Sequence, residues 1–456
     1  MARLHRWLGT GLASLLAGLS APLAAQSLWL PASDPVGIAR GGTGVAFGQS
    51  LEASALNPAL LVTLRDKSSA YLGFGMDMAS AQTTLQSTQR SLFSSERNRL
   101  LPSFGAAWKT NDRFSLGLKL DQPFLRHAEI SPESTIRFLG RSIDLKTQRL
   151  EVQAAWALRP GISFGAGLGV ARISFDSSVN LRTQVLDDPS LPPGLTNPAI
   201  ALAEVRAQQS GSTTVPSFSV GFRWAINPRW TLAGTHQGAL RGDLNLNASM
   251  GQEQPVFVDP GGNGSAPLGI ETQKAATLAQ LQFHPGSGRV ALPGKTTVGV
   301  RHRVNQFLTW EFDVKHIQGA SLELPSSPIL MGPGGIASTQ VDGGYRSGFG
   351  ASLMGEATLG RDWTLRVGAS LEPALQEDSR VNPLISGSRS AAFSIGAGYR
   401  IWGGELNAGL QFRQNRDVDS VLMEGAWDSA GYRTTGTKTR VEGMGHLWSI
   451  GFKRSF

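Results

Sequence analysis

The strongest constraint in this chain is alternation. Runs of about ten residues place an apolar side chain at every second position and a small or polar one between, and a short turn then reverses each run. Phe104, Ala106 and Trp108 lead through Thr110-Asn111-Asp112 into Phe114, Leu116, Leu118 and Leu120, with Ser103, Gly105, Ala107, Ser115, Gly117 and Lys119 on the other face. Pairing Trp108 with Phe114 keeps both apolar sets on one side, as a half-buried sheet requires. The construction recurs at 150–158 with 162–170, 220–226 with 230–232, 298–304 with 308–314, 357–359 with 363–371, and 393–401 with 406–412. The last of these turns at Gly403-Gly404, a pair suited to positive φ. Adding a first strand at 72–78 and a last at 448–456 predicts an all-β fold of about fourteen antiparallel strands.

The other connections are long: 81–99, 127–146, 177–214, 247–291, 318–345, 374–390 and 413–440. Short turns at one end and long loops at the other mark a transmembrane β-barrel. A β-helix or propeller would repeat one unit length, and no fixed period is present. Trp108, Phe114, Trp156, Trp224, Trp230, Trp310 and Trp363 cluster beside the short turns, where amphipathic rings favour a membrane interface. The rival reading is hairpin-end packing in a soluble sandwich. On the opposite face Gly165, Gly167 and Gly169 form a row, and Arg301 falls across from Glu311. That register predicts a wall-lining ion pair inside a wet or plugged lumen.

Residues 1–25 read as a secretory signal peptide: Arg3, His5 and Arg6, then an apolar stretch at 7–19, then Leu23-Ala24-Ala25 before Gln26. The absence of Cys excludes disulfide frameworks and thiolate metal sites, and the seven His show no metal-binding spacing, so no metal or cofactor is expected. The GxSxG spacing occurs once, at Gly161–Gly165, but inside an alternating strand run and not at a strand-to-helix elbow, and the chain is not expected to be an enzyme. Removal of residues 1–25 with their two Arg lowers the net charge from +8 to +6, which suits a surface facing anionic lipopolysaccharide; no nucleic-acid partner is expected. Residues 26–66 do not alternate, and about 40 residues cannot bury a core alone. Packed inside the barrel formed by 67–456, they would act as a plug. Their glycine stretch, Gly41-Gly42-Thr43-Gly44, lacks both the preceding strand and the spacing of a nucleotide loop.

A Gly/Ala-rich start ending in Asn57-Pro58-Ala59, followed by Pro102, Gly117 and Pro123-Phe124, resembles the FadL/TodX (OMPP1) family of outer-membrane transporters for long-chain fatty acids and other hydrophobic compounds. The segments 234–242, Leu292-Pro293, 363–368 and 396–400 agree with it. The resemblance implies a monomeric fourteen-stranded barrel in the outer membrane, plugged by a hatch carrying Asn57, Pro58 and Ala59. It implies passive uptake of a hydrophobic small molecule, with sideways release into lipid where the third strand is interrupted. Asp121, Gln122 and Pro123 are the candidates for that gap, since proline cannot complete a ladder. By the same resemblance Leu28, Trp29 and Leu30 reach the ligand. The family's fatty-acid carriers hold the carboxylate on basic residues; the comparable strand end here is Ser177-Ser178-Val179-Asn180, with Arg172 and Arg182 nearby. A neutral apolar solute is therefore a rival to a fatty acid, and a structural or secretion-associated barrel is the alternative function.

Overall fold

The computed structural model describes residues 30, 32–48, 50–85, 91–130, 140–184, 202–252, 282–285, 288–325, 329–332, 335–337, 345–376, 389–415, 418–421 and 438–456. The signal segment, together with Leu28 and Trp29, lies outside them.

Fourteen antiparallel strands close on themselves. They are β1 (Ser68–Leu85), β2 (Ser91–Lys109), β3 (Phe114–Asp121, resuming at Leu125–Glu129), β4 (Ser142–Arg159), β5 (Ile162–Gln184) and β6 (Leu202–Ala225). Next come β7 (Trp230–Gln237, resuming at Leu240–Asp243 and Asn245–Gln252) and β8 (Arg289–Leu292, then Lys295–Arg303). The wall is completed by β9 (Leu308–Ile317), β10 (Gly348–Leu359), β11 (Trp363–Glu372), β12 (Ser390–Ile401), β13 (Gly404–Asn415) and β14 (Lys438–Ser455). Each pairs with its sequence neighbour, and β14 pairs with β1 from Ser69 opposite Ser455 to Leu85 opposite Thr439.

Alternation decides which way each side chain points. On β5, Phe164, Leu168 and Val170 are exposed, Leu168 at 70%, while Ser163, Ala171 and Ile173 are buried. On β11, Trp363, Leu365, Val367 and Leu371 are exposed and Arg366, Ser370 and Glu372 are buried. A water-soluble sandwich would hide the first set; a wall with an apolar exterior and a polar interior is built for lipid. The girdle tryptophans at the short-turn end stand outward, Trp156 at 60%. Trp230, His302 and Trp310 pack against one another there, with ring centroids 4.2–5.7 Å apart.

Three short turns share one device. The side-chain oxygens of Asn111, Asn227 and Asn305 each accept the backbone N–H groups two and three residues on, at 2.8–2.9 Å. This corrects the first hairpin. Asn111 opens its turn instead of standing at the centre, so Trp108 pairs with Leu116, not Phe114, and the faces are unchanged. The β12–β13 turn also shifts, to Trp402-Gly403 with φ of 54° and 70°, because Gly404 is needed in the ladder opposite Ile401.

Inside the barrel, residues 30–66 form the hatch: α1 (Pro35–Ala39), α2 (Leu51–Ser54) and a 3₁₀ turn, Pro58–Thr63. Asn57 holds its centre. Its Nδ2 donates to the Val45 carbonyl at 2.8 Å and to the Phe222 carbonyl of β6 at 3.1 Å, while Oδ1 accepts Ala59 N–H. Ser163 of β5 donates to the Ala59 carbonyl at 2.8 Å. The inward glycines make room for this contact: a Cβ on Gly165 would lie 2.4 Å from Ala59 N, and one on Gly221 would lie 1.9 Å from Asn57 Oδ1. Gly368 and Gly409 give way in the same manner to the backbone at Arg40 and Pro35. Gly165→Val should therefore unseat the Asn57-Pro58-Ala59 segment, since backbone cannot yield as a side chain does. Protease cleavage within the hatch should rise severalfold while the barrel keeps its heat-modifiable migration. An uncut hatch in the folded variant would contradict the docking.

Candidate functional site

The lumen is not uniform. Toward the short turns it is charged, and the charges join hatch to wall. Arg40 bonds Glu356 at 2.7 Å; Arg366 bonds Glu356 at 2.8 Å and Glu405 at 3.0 Å; Lys453 bonds Glu405 at 2.9 Å. The glycine loop of the hatch is held by β9: Gly44 N–H donates to Asp313 at 3.0 Å and Ala46 N–H to Glu311 at 2.7 Å. Arg301 does stand opposite Glu311, but among the described residues no ion pair joins them. Glu311 faces the hatch backbone, and the Arg301 guanidinium lies 4.6 Å from the Phe47 ring centroid. The expected wall-lining pair is thus a hatch clamp.

Higher up, a second cluster surrounds the third strand. Arg149 grips Asp121 with two bonds at 2.8 and 2.5 Å, and Lys119 lies 3.2 Å from Glu151 and donates to the hatch carbonyl of Ala55 at 2.9 Å. Here β3 breaks. The β3–β4 ladder runs to Asp121 opposite Arg149 and resumes at Leu125 opposite Lys146, so Gln122, Pro123 and Phe124 face only two residues. On the other side, pairing with β2 ends at Phe104 opposite Leu120. Beyond that point no backbone hydrogen bond joins β2 to β3 among the described residues. Pro102 is the next β2 residue whose backbone faces β3, and it has no N–H to offer.

Leu30 lies across this interruption. Its N–H donates to the Pro123 carbonyl at 3.1 Å, and its side chain is buried with Leu101 of β2 and Leu125 of β3. Gln122 is 2% exposed and neither end of its amide has a hydrogen-bond partner. It lines a cavity of about 30 Å³, room for a water or two, together with Asp34, Asp121, Pro123, Arg149 and Lys295.

Above the charges the lumen becomes apolar. Phe124, Leu145, Ile173, Phe175, Val215, Leu240, Leu244, Val290, Leu292 and Leu322 belong to one buried hydrophobic cluster. Arg126, 1% exposed and opposite the cluster's Leu145, borders it. Arg172 is exposed and outward, so it cannot serve the lumen; the Arg182 side chain lies outside the described residues. Lys119 and Lys315 face inward, on the polar face of their runs, and Arg149 and Lys295, which the alternating runs do not include, face inward with them. The signal for Arg149 is parity, since it alternates with the outward Leu150, as Lys119 does with Leu118 and Leu120 and Lys315 with Val314; Lys295, between Gly294 and Thr296, carries no such signal.

These features define a hatch-plugged β-barrel with an apolar cluster in its lumen. The chain matches the family model described as outer membrane protein transport protein (OMPP1/FadL/TodX) over residues 16–456. It belongs to that family of outer-membrane transport proteins. Among solved structures it is similar to a Pseudomonas aeruginosa FadL homologue, with 18% identity, a TM-score of 0.72, and 94% of this chain and 100% of that one covered. The Pseudomonas putida toluene transporter TodX aligns at 15% identity and TM-score 0.61, covering 95% and 99%. The Ralstonia pickettii toluene transporter TbuX aligns at 15% and 0.58, covering 93% and 98%. No curated protein matches the chain.

One hatch group is poised to respond to pH. Asp34 caps α1, accepting Gly37 N–H at 2.7 Å, and its burial lifts the carboxyl from 3.8 to about 7. A released hatch would lose this proton near the ordinary carboxylate value, a docked one only near neutrality. The docked state thus binds more protons between the two values, and docking weakens as pH rises through that window. Hydrogen exchange of the α1 amides, corrected for base catalysis, should accelerate from about pH 4 to about pH 7, and the rise should vanish in Asp34→Asn. An unchanged pH profile in that variant would contradict it.

Proposed function

We propose that the protein carries hydrophobic compounds passively across the outer membrane, taking them into the apolar luminal cluster and releasing them sideways at Asp121–Phe124. The observation that carries this reading is a coincidence of position. Phe124 belongs both to the apolar cluster and to the break in β3, so the cluster and the missing ladder share a boundary. An apolar lining gains about 25 cal/mol for each Å² of solute surface taken out of water, and lipid offers the same gain at the exit. No energy source is needed. Leu30 lies over the break from within, so displacement of the leading hatch segment accompanies release. Leu28 and Trp29 adjoin it in sequence and contribute to solute contact. The protein acts as a monomer, since a closed cylinder leaves no strand edge for a second copy.

Two solute classes fit. The hydrophobic cluster suits a neutral aromatic compound such as toluene, the solute in the names of TodX and TbuX. Arg126 at its border suits a carboxylate on a long alkyl chain. Arg126→Leu separates them: binding of oleate should fall severalfold while that of toluene holds, whereas equal retention of both assigns the pocket to neutral solutes.

Gln122→Trp tests the route itself. The indole cannot fit a cavity of about 30 Å³ and would project into the break. Uptake of radiolabelled oleate or toluene by cells carrying the variant at wild-type levels in the outer membrane should drop severalfold. Undiminished uptake would sink the route. Normal uptake in a deletion strain that fails instead in secretion would favour a structural barrel.

A further inference from the structure

Among the described residues the wall is interrupted a second time. The β6–β7 ladder runs to Ser219 opposite Gln237 and does not resume until Ser212 opposite Asn245. Between them Gly238 N–H donates to the Phe218 carbonyl at 3.0 Å, and among the described residues no other backbone hydrogen bond joins 213–218 to 238–244. Over this interval β7 pairs only with β8, from Leu240 opposite Leu292 to Asp243 opposite Arg289. β6 itself stays paired with β5, Ile173 to Thr213 through Gly169 to Ser217. One edge of β6 is therefore bare in mid-wall, in a medium where an unpaired N–H is costly.

The sequence is adapted to that bare edge. Because Phe218 directs its carbonyl toward β7, the alternation of backbone direction sends the same groups of Pro216 that way. Pro216 has no N–H, so the edge carries one fewer orphan donor, which is how proline survives inside a long strand. Pro102 stands in the same relation to the break in β3. Two interruptions thus each face a proline on the neighbouring intact strand.

They also share surroundings. Pro216 pairs with the exposed Val170 and Thr214 with the exposed Arg172, so the second break lies at the long-loop border of the apolar exterior. Leu240, Leu244 and Val215 line it from inside, in the same cluster as Phe124. What closes it is packing: a Cβ on Gly242 would lie 2.5 Å from Val215 Cγ1 and 3.5 Å from Thr213 Cγ2.

We propose that the wall has a second lateral outlet, between β6 at Thr213–Ser217 and β7 at Gly238–Leu244, through which hydrophobic solute leaves the luminal cluster for lipid. The proposal rests on the transport reading above. Solute reaching the cluster can depart past Phe124 or past Leu240 and Leu244, and the second way requires no movement of the hatch.

The chain has no native Cys, which makes a clip clean. In Val215→Cys/Gly242→Cys the two β-carbons fall within disulfide reach. Uptake of radiolabelled oleate and of toluene is measured in cells, with and without oxidation, in wild-type and Gln122→Trp backgrounds, and cross-linking is scored by mass spectrometry. The clip is expected to lower wild-type uptake by roughly half and to remove most of what Gln122→Trp retains, with recovery on reduction. Full cross-linking with unchanged uptake in both backgrounds overturns the second outlet and leaves transport standing. Wild-type uptake no faster than in cells lacking the protein overturns transport and the outlet with it. Thr214→Trp, at an exposed position on the same edge, supplies the same readout should the cysteine pair not assemble.

Discussion

Every backbone polar group that crosses a bilayer must find its partner inside the protein, and that requirement governs this structure. It forces β14 back onto β1, and closure fixes the two faces of every strand. Once the faces are fixed, the apolar members of each alternating run must face lipid and the small and charged members must face in. Departures from complete pairing then become informative, because they are expensive. Both breaks described here, beside β2 and beside β6, border one apolar cluster, and each faces a proline that removes a donor from the bare edge. Random ladder defects would not carry that correlation.

The same closure creates an interior that must be filled, and the hatch fills it chiefly through polar bonds. Glu311 and Asp313 accept hatch N–H groups, Lys119 donates to a hatch carbonyl, and Arg40 joins Glu356. Buried charges in such numbers would destabilise a core unless each met a partner, and the hatch supplies several of those partners. Glycine is the other half of the fit. Where Gly165 and Gly368 face inward, hatch backbone lies against barrel backbone, and at Gly221 the Asn57 side chain does, too close for any β-carbon. The firm end of the hatch is thus its 40–63 portion, whereas the leading end at Leu30 is held by one backbone bond and apolar packing.

Much of this is legible in the sequence because alternation is a local property. Strand number, face and the girdle follow from counting, and Arg301 opposite Glu311 follows from one turn length. The errors are equally local. Asn111, Asn227 and Asn305 cap identical turns, yet the apolar pattern alone centres the first turn on Asn111, two residues of register away from the Trp108–Leu116 pairing and on the same face. What alternation cannot give is the third dimension. Glu311 is a hatch clamp because the Ala46 amide arrives from 265 positions away in the chain. Pro216 could have marked the second break, since a proline within a 24-residue strand demands a bare edge. Its meaning needs the neighbouring strand, and β7 offers there only Gly238 and the broken alternation that follows.

The breaks matter for transport because of what must be undone to open them. Separating two paired strands in an apolar medium sacrifices backbone hydrogen bonds worth about 4–6 kcal/mol each. A passage wide enough for a solute would break several in succession, far more than thermal motion supplies. At each break a single backbone bond spans the opening, Leu30 N–H to the Pro123 carbonyl at one and Gly238 N–H to the Phe218 carbonyl at the other. Parting Gly242 from Val215, or Leu30 from Leu101 and Leu125, gives up dispersion contacts of about 0.1–0.2 kcal/mol per atom pair. An incoming apolar solute restores them as it takes the vacated space. The lateral exit we propose is therefore confined to places where the ladder is not continuous, and the barrel stays cooperative elsewhere.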